Sequence, residues 1–444
     1  MTLKNPKYKN RLLDKQLEKH LRAFGAVEIV GSMWCGKTWM AEAHAVSKIN
    51  ISNPQTRAII EADHSLAFEG GKPHVIDEWQ EIPALWDETR LAIDAAAGER
   101  GLYILTGSST PKKEETVHSG TGRISRIQLR PMSLFETGDS DGCVSLGGLF
   151  EGKFKKARVQ TDIRRLADLI CKGGWPGALH LEPEPVARTR QGRPSPVDIT
   201  QLIPNQYLDT LISSIGKKNG VNEYRLRRFL ASLARNTGQA VTYQTIANDI
   251  IEGNIDSKNE LAGKQNIESL LTLFKERFII EDLNGWDAPV RSKSRVRVKP
   301  KRCFVDPSLT AALLGVDKGR LLQDGQLFGN LFEELALRDL RIYASCMEGA
   351  VPDPVKYYRD SDNLEVDAII ELRDGRWAGI EIKLSENKVA EAVSSLLRLK
   401  NKVTSNPMAR NPEPAFLAVL TGKTDFCRKT PEGVYVIPCT SLTA

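Results

Sequence analysis

Apolar residues along this chain follow two rhythms, and the exchange between them maps the elements. Leu12, Leu13, Leu17 and Leu21 recur at three- to four-residue spacing among charges, which predicts an amphipathic helix over about residues 8–24. Val27-Glu28-Ile29-Val30 is a short, mostly apolar stretch expected as a buried strand, and Trp39-Met40-Ala41-Glu42-Ala43 reads as the helix that follows it. Thr56-Arg57-Ala58-Ile59-Ile60-Glu61-Ala62-Asp63 is expected as a further strand, and His74-Val75-Ile76-Asp77 as another. Ile82-Pro83-Ala84-Leu85 opens a helix with proline in its first turn and its buried face at positions 85, 92, 93 and 96. Gly101-Leu102-Tyr103-Ile104-Leu105-Thr106-Gly107-Ser108-Ser109 is a buried strand ending in hydroxyls. Strands alternating with helices in this way predict a parallel α/β sheet.

Beyond Gly142 the rhythm turns helical. Glu184 to Pro196 is a polar, proline-bearing loop between helical pieces. Leu226, Phe229, Leu230 and Leu233 form one apolar stripe; Thr242 to Ala247 starts a second helix; Ile267, Leu270, Leu271 and Phe274 mark a third, with Phe278-Ile279-Ile280 as a strand after it. Farther on, Phe328, Leu331, Phe332 and Leu335 define the buried face of a helix. Leu364 to Leu372 and Trp377 to Leu384 are strands joined by a tight turn at Arg373-Asp374-Gly375-Arg376, and Lys388 to Val403 is helical again.

Composition narrows the class. A hydrophobic content of 41% with 27% charged residues is that of a folded globular chain with a sizeable core. No apolar run reaches membrane-spanning length and the first residues are too polar for a signal peptide, so a cytoplasmic protein without membrane partners is expected. Seven scattered cysteines without a Cys-x-x-Cys pair, and six histidines in no ligand spacing with them, exclude a disulfide framework and a zinc site. Cys35 is expected to be a packed, inert thiol. The net charge of +6 is concentrated in Arg291 to Arg302, which holds seven basic residues and no acid. Its cations at 291, 293, 295, 297, 299 and 301 alternate, so an extended strand would line them on one face. Such a row calls for an anionic partner: DNA, RNA or an acidic surface of the protein itself. A solvated hairpin is the plain alternative.

Gly31-Ser32-Met33-Trp34-Cys35-Gly36-Lys37-Thr38 is Gly-x-x-x-x-Gly-Lys-Thr, with the strand before it and the helix after it that a phosphate-binding loop needs. Its backbone N–H groups cradle phosphates, Lys37 brings a point charge, and Thr38 offers a hydroxyl to Mg2+; Trp39 closes the nucleotide-contacting set. Forty residues past Lys37, apolar residues run into Asp77-Glu78. Asp77 would hold Mg2+ through water and Glu78 would polarise the attacking water. Thr106 or Ser108 could sense the γ-phosphate. Arg123 and Arg126 could act as arginine fingers, in this chain or on a neighbour, or be ordinary surface arginines. The expected cofactors are ATP and Mg2+.

These segments, with Arg130-Pro131-Met132-Ser133-Leu134-Phe135-Glu136, Gly173-Gly174-Trp175-Pro176-Gly177, Val305-Asp306-Pro307-Ser308-Leu309 and the end of the chain, resemble the bacterial and archaeal AAA+-type ATPases that carry a DUF4143 C-terminal region. Met33 departs from that pattern, standing where relatives are expected to have a basic residue. The resemblance implies ATP binding and hydrolysis. The three middle helices and the strand after them resemble a winged helix, with the basic segment as its wing.

In the C-terminal part, period two puts Glu381 and Lys383 on one face, and Asp367 can meet them from the paired strand. By pattern alone this could equally be a cross-strand ion pair. With Glu333 from the leading helix, the set resembles the PD-(D/E)xK nucleases. There, carboxylates such as Asp367 and Glu381 hold a divalent cation against a phosphate and the lysine activates water or stabilises charge. The expected architecture is therefore multidomain α/β: an AAA+-like P-loop domain at 1–141, a helical connector or lid at 142–215, a winged-helix-like domain with a basic wing at 216–320, and a nuclease-like α/β domain at 321–444. The expected function is ATP hydrolysis that regulates a nuclease-like domain acting on nucleic acid. The alternatives are an ATP-dependent switch whose inactive nuclease-like domain binds DNA, RNA or a protein, and a winged-helix DNA-binding regulator. DNA or RNA would be engaged through 291–302 and the C-terminal domain, and the chain is a candidate homo-oligomer.

Overall fold

A computed structural model describes residues 3–108, 120–182, 199–251, 264–289, 292, 295 and 298–444. The chain forms two compact units, Met1–Pro131 with Leu273–Ile279, and Met132–Thr272 with Ile280–Ala444.

The first unit is built on a five-stranded sheet of order β2-β3-β4-β1-β5, all parallel. Its elements are α1 (Asp14–Ala23), β1 (Ala26–Val30), α2 (Lys37–Ala43), β2 (Ser47–Asn50), α3 (Pro54–Ala62), β3 (His74–Asp77), α4 (Ala84–Ala95), β4 (Tyr103–Gly107) and β5 (Ile124–Gln128). Ile76, Trp79, Leu85, Trp86, Ile93 and Leu105 fill the core on one side of the sheet. The segment expected as a strand at Thr56–Asp63 is the helix α3. Asn53 caps it, its side-chain oxygen accepting from the N–H groups of Gln55 (2.9 Å) and Thr56 (3.2 Å), and Pro54 occupies the first turn. Only Ile60 of the adjacent isoleucines is buried, so start signals and one-sided burial prevail over β-branching. The missing strand lies earlier, at Ser47–Asn50.

The second unit joins what the sequence divided into connector, middle and C-terminal domains. Its main sheet has the order β10-β11-β12-β13-β15-β14-β7. The strands are β7 (Ala157–Arg158), β10 (Ala350–Arg359), β11 (Glu365–Leu372), β12 (Trp377–Ser385), β13 (Phe416–Lys423), β14 (Phe426–Lys429) and β15 (Tyr435–Pro438). β7 comes from the expected connector, as does β6 (Val144–Ser145), which pairs with β16 (Leu442–Thr443) near the end of the chain. Strand pairing so remote in sequence explains why the units divide near 131. The helices Glu223–Arg235, Tyr243–Ile251 and Lys264–Glu276 lie where periodicity placed them, and β8 (Ile280–Leu283) and β9 (Lys301–Phe304) pair antiparallel after them. The helices Gly325–Ser345 and Val389–Thr404 also match expectation; Leu396 and Leu399 of the latter pack with Ile369, Trp377 and Val419. The polar loop expected at 184–196 lies outside the described residues. No helix among the described residues is long and apolar enough to cross a membrane.

Three of the sequence motifs meet in one buried hub. Arg338 reaches Asp306 (2.8 Å) and Asp339 (2.8 Å). The backbone N–H of Gly174 donates to Asp306 and that of Leu134 to Asp339. Met132 N–H donates to Gly174 O at 2.6 Å, and a Cβ on Gly174 would lie 2.0 Å from Met132 O, which accounts for the glycine. Trp175 Nε1 donates to Ser308 Oγ at 2.9 Å. These motifs are structural. Replacing Arg338 by alanine strands two buried carboxylates and is expected to destabilise the fold by about 3–5 kcal/mol. Denaturant unfolding of R338A would test this, and a loss below about 1 kcal/mol would remove the hub from this role.

Candidate functional site

The loop Gly31–Gly36 leaves the C-terminal end of β1 and enters α2 at Lys37. Gly36 sits at φ 100°, and a Cβ on Gly31 would lie 2.1 Å from Leu129 O, so both glycines serve close backbone turns. Trp34 takes φ 61°, and Trp34 and Trp39 are the exposed aromatics flanking the loop's end. Met33 is half-buried. Cys35 is fully buried, its Sγ donating to Leu129 O at 3.4 Å.

Two polar groups of the loop lack an outside partner. Lys37 is buried and its Nζ is turned onto the loop's own carbonyls, Gly31 O at 3.1 Å and Ser32 O at 2.9 Å. The Ser32 hydroxyl is buried without a hydrogen-bond partner. A phosphate in the cradle would satisfy both. Arg11, which sequence reasoning did not single out, props the loop from below by donating to Cys35 O (2.9 Å) and Arg130 O (2.8 Å). Its backbone N–H is held by Asp14, which also accepts from Tyr8 and faces His44 at 3.1 Å. Burial pushes the Asp14 carboxyl up, but these partners outweigh it and hold it below its ordinary value.

β4 stands between β1 and β3, and this sets the second half of the site. Asp77 ends β3, and its Oδ1 accepts from Thr38 at 2.9 Å and from Thr106 at 2.5 Å. Thr106 in turn accepts from the backbone N–H of Glu78 at 3.2 Å. Glu78 has φ 57°, a left-handed conformation costing a non-glycine residue about 1–2 kcal/mol. That bend carries its carboxylate toward Ser108, whose hydroxyl donates at 3.2 Å; Gln80 donates to the same oxygen. Thr106 is thus a clamp on both acids, and Ser108 is the hydroxyl that meets the Glu78 carboxylate. Thr38 and Asp77 offer a hydroxyl and a carboxylate to one point, a donor set that fits Mg2+.

The arginines do not join them. β5 is parallel to β1, and Arg123 O accepts from Ala26 N–H at the beginning of both strands, roughly 15 Å of strand away from the loop. Its side chain pairs with Asp94 at 2.6 Å. Arg126 lies opposite Glu28 in the register and pairs with it at 2.6 Å. Glu28 is fully buried, also accepts from Trp79 Nε1, and is raised by burial against the pull of Arg126. Both expected fingers are therefore engaged as ion pairs within the first unit, Arg126 with a buried partner.

The second unit brings Glu333, Asp367, Glu381 and Lys383 together. β11 and β12 pair antiparallel, Glu381 and Lys383 share a face of β12, and the helix Gly325–Ser345 supplies Glu333. Lys383 Nζ lies 2.5 Å from Glu381 Oε2 and 3.1 Å from Asp367 Oδ2, while the Ile382 N–H donates to Asp367 at 2.8 Å. Burial and then the charge of Asp367 push Glu381 up to about 9; burial and Asp367 likewise raise Glu333 to about 7. Burial works against Asp367 too, but Lys383 and Lys301 hold it below its ordinary value. The pair expected to share a cation, Asp367 and Glu381, shares Lys383 instead. No group of three or more His, Cys, Asp or Glu among the described residues is arranged to hold a metal.

Lys301 is the residue that the sequence reading did not place in this cluster. One of the alternating cations for which an acidic surface of the protein itself was among the expected partners, it lies in β9 with its side chain 5% exposed, 2.6 Å from Glu365 and 3.3 Å from Glu333. Arg295 makes a two-pronged contact with Glu371 at 2.7 and 2.8 Å. Of the alternating cations, 291, 293 and 297 lie outside the described residues, and Lys299 is exposed. The expected one-sided strand does not form at 295 and 301, because acidic groups of the second unit take up those charges.

Comparison with known families assigns residues 24–138 to the model of an AAA domain, residues 163–320 to a domain of unknown function (DUF8612) and residues 328–442 to another (DUF4143). No curated protein matches the chain. Among solved structures, the Walker-type ATPase of Pyrococcus abyssi is 13% identical with TM-score 0.40, covering 70% of this chain and 97% of that one. A DNA replication initiation factor is 12% identical (TM-score 0.22; 60% and 92% covered), and the Aeropyrum pernix ORC1 protein in complex with DNA is 13% identical (TM-score 0.22; 68% and 91% covered). With its loop, acid pair and parallel sheet, the segment 24–138 is an AAA-type P-loop ATPase domain, and a DUF4143 region follows it in the same chain.

Proposed function

We propose that this protein hydrolyses ATP in its first unit and that the nucleotide state controls a nuclease-like site in the second, which acts on nucleic acid. The observation carrying the ATPase half is the continuous chain Thr38–Asp77–Thr106–Glu78–Ser108, joined to a loop whose Lys37 and Ser32 await an anion. On ATP binding, Lys37 exchanges the Gly31 and Ser32 carbonyls for phosphate oxygens. Thr38 and Asp77 would hold Mg2+, which when bound would supply stabilisation of phosphate charge. Glu78, aimed by its backbone bend and by Thr106 and Ser108, orients the attacking water and accepts its proton. Since Arg123 and Arg126 are paired elsewhere, an arginine finger would come from a neighbouring molecule.

The nuclease-like half rests on the convergence of Glu333, Asp367, Glu381 and Lys383. The helices at 223–276 with the β8–β9 pair support a winged-helix reading of the middle, and exposed Lys299 is the described cation of the basic segment left to face a nucleic acid. A second reading, an ATP switch whose C-terminal site only binds, is favoured by the lysine standing between Asp367 and Glu381.

Lys37→Ala is expected to lower ATP turnover at least about 100-fold with the fold intact. Glu78→Gln should lower turnover by about 100-fold or more while nucleotide still binds. Phosphate release, with the fluorescence of Trp34 and Trp39 reporting binding, measures both; full turnover in either variant would sink the assignment. For the second site, DNA and RNA cleavage with and without ATP is expected in the wild type and absent in Lys383→Ala. Nucleic-acid binding without cutting would instead support the switch.

A further inference from the structure

Apart from the acidic cluster, the second unit holds a cavity of about 450 Å3, lined by the first turn of the helix Tyr243–Ile251 and by the end of the basic segment. Val241, Ala247 and Pro300 give it apolar walls, and Tyr243 adds a half-buried ring. Lys299 and Arg302 supply its charge, and no acid is among the described residues that line it. Arg302 is nine-tenths buried and its Nε makes no hydrogen bond; Asp282 Oδ1 lies 3.8 Å from it. Its Nη1 donates to Val241 O at 3.3 Å, and its guanidinium lies 5.3 Å from the centre of the Tyr243 ring, a cation–π contact that holds the ring at the wall. Lys299 is exposed, but its backbone is fixed from the C-terminal sheet, where the Tyr357 hydroxyl donates to its carbonyl at 2.5 Å. Neighbouring residues of β9 turn opposite ways: Lys301 to the acidic cluster, Arg302 to the cavity.

We infer that this cavity takes one unpaired nucleotide of a single-stranded nucleic acid, its base on Tyr243 and the apolar walls and its phosphate on Lys299 and Arg302. The volume falls within the roughly 300–1,000 Å3 of small-ligand sites, which a single nucleotide suits. A simple anion would need only the cations and an apolar ligand only the walls; a nucleotide needs both. In a duplex the bases are stacked on one another and cannot enter a side pocket. An unpaired strand offers each base face to an aromatic ring and each phosphate to a cation. The first turn of the helix Tyr243–Ile251 lines the same space, and the positive end of its dipole adds to the attraction. The inference rests on the nucleic-acid reading of the second unit and names its substrate class: a strand seated in the cavity is anchored on β9, the element that also reaches the acidic cluster.

The test is fluorescence anisotropy of the full chain with a labelled oligothymidylate and with a duplex, repeated over a salt series. The wild type is expected to bind the single strand at least about tenfold tighter than the duplex. Tyr243→Ala should weaken single-strand binding at least about fivefold and Tyr243→Phe leave it unchanged, since the ring face is what binds. Lys299→Gln should weaken it and lower the salt slope by about 0.7, the mark of one phosphate contact. Should Tyr243→Ala fail to fold, ultraviolet crosslinking of the wild type to a strand of photoreactive thymidine decides instead. Label on the peptide bearing Tyr243 is expected there, and label confined to other peptides would overturn the cavity. Duplex binding as tight as single-strand binding, or single-strand binding untouched by Tyr243→Ala, would overturn the inference and keep the nucleic-acid reading. Displacement of the strand by micromolar thymidine monophosphate would make the cavity a mononucleotide site and overturn it as well. No binding of any nucleic acid would overturn both.

Discussion

Taking a charge out of water is costly unless an opposite charge or several hydrogen bonds come with it, and that constraint places most of the residues this protein depends on. Arg338 is buried at the centre of the second unit and can be there only because Asp306 and Asp339 meet it. Those two carboxylates in turn accept backbone N–H groups from Gly174 and Leu134, so a single guanidinium ties three remote segments together. Glu28 and Arg126 obey the same rule across neighbouring strands in the first unit.

The nucleotide site follows a gentler form of it. Asp77 is buried, and its Oδ1 is held by two hydroxyls rather than by a strong cation, with Lys48 3.8 Å from Oδ2. Hydroxyl partners hold a carboxylate in place yet can be exchanged for other ligands, whereas a tight salt bridge would have to be broken first. Lys37 is likewise held by neutral carbonyls. The site is ordered and available at once.

The cluster around Asp367 is built the other way. Its carboxylates are compensated by ammonium groups, one of them from a distant hairpin, and burial beside Asp367 raises two of them, Glu381 and Glu333. Order there is bought with charge that anything cationic must displace. The contrast is between acids held by hydroxyls in the first unit and acids held by lysines in the second.

Much of this was legible in the amino-acid order. The loop 31–38, the strand into Asp77-Glu78, the hydroxyl-tipped strand at 103–108, the middle helices and the hairpin bearing Asp367, Glu381 and Lys383 all announce themselves locally, because helix and strand periods and glycine geometry act over a few residues. Where local signals conflicted, reading failed: Thr56–Asp63 looked like a strand until the Asn53 cap and Pro54 were weighed against its isoleucines. What only the tertiary structure decided is which charges meet. Arg123 and Arg126, open between fingers and surface arginines, are ion-pair partners; Lys301 and Arg295, open between a nucleic acid and the protein's own acids, meet the acids; Arg11 and Arg338 carried no signal at all. An ion pair depends on distance in space, and the partners of Arg123, Arg126, Lys301 and Arg295 lie between about thirty and more than ninety residues away, so no short window along the chain contains both members of these pairs.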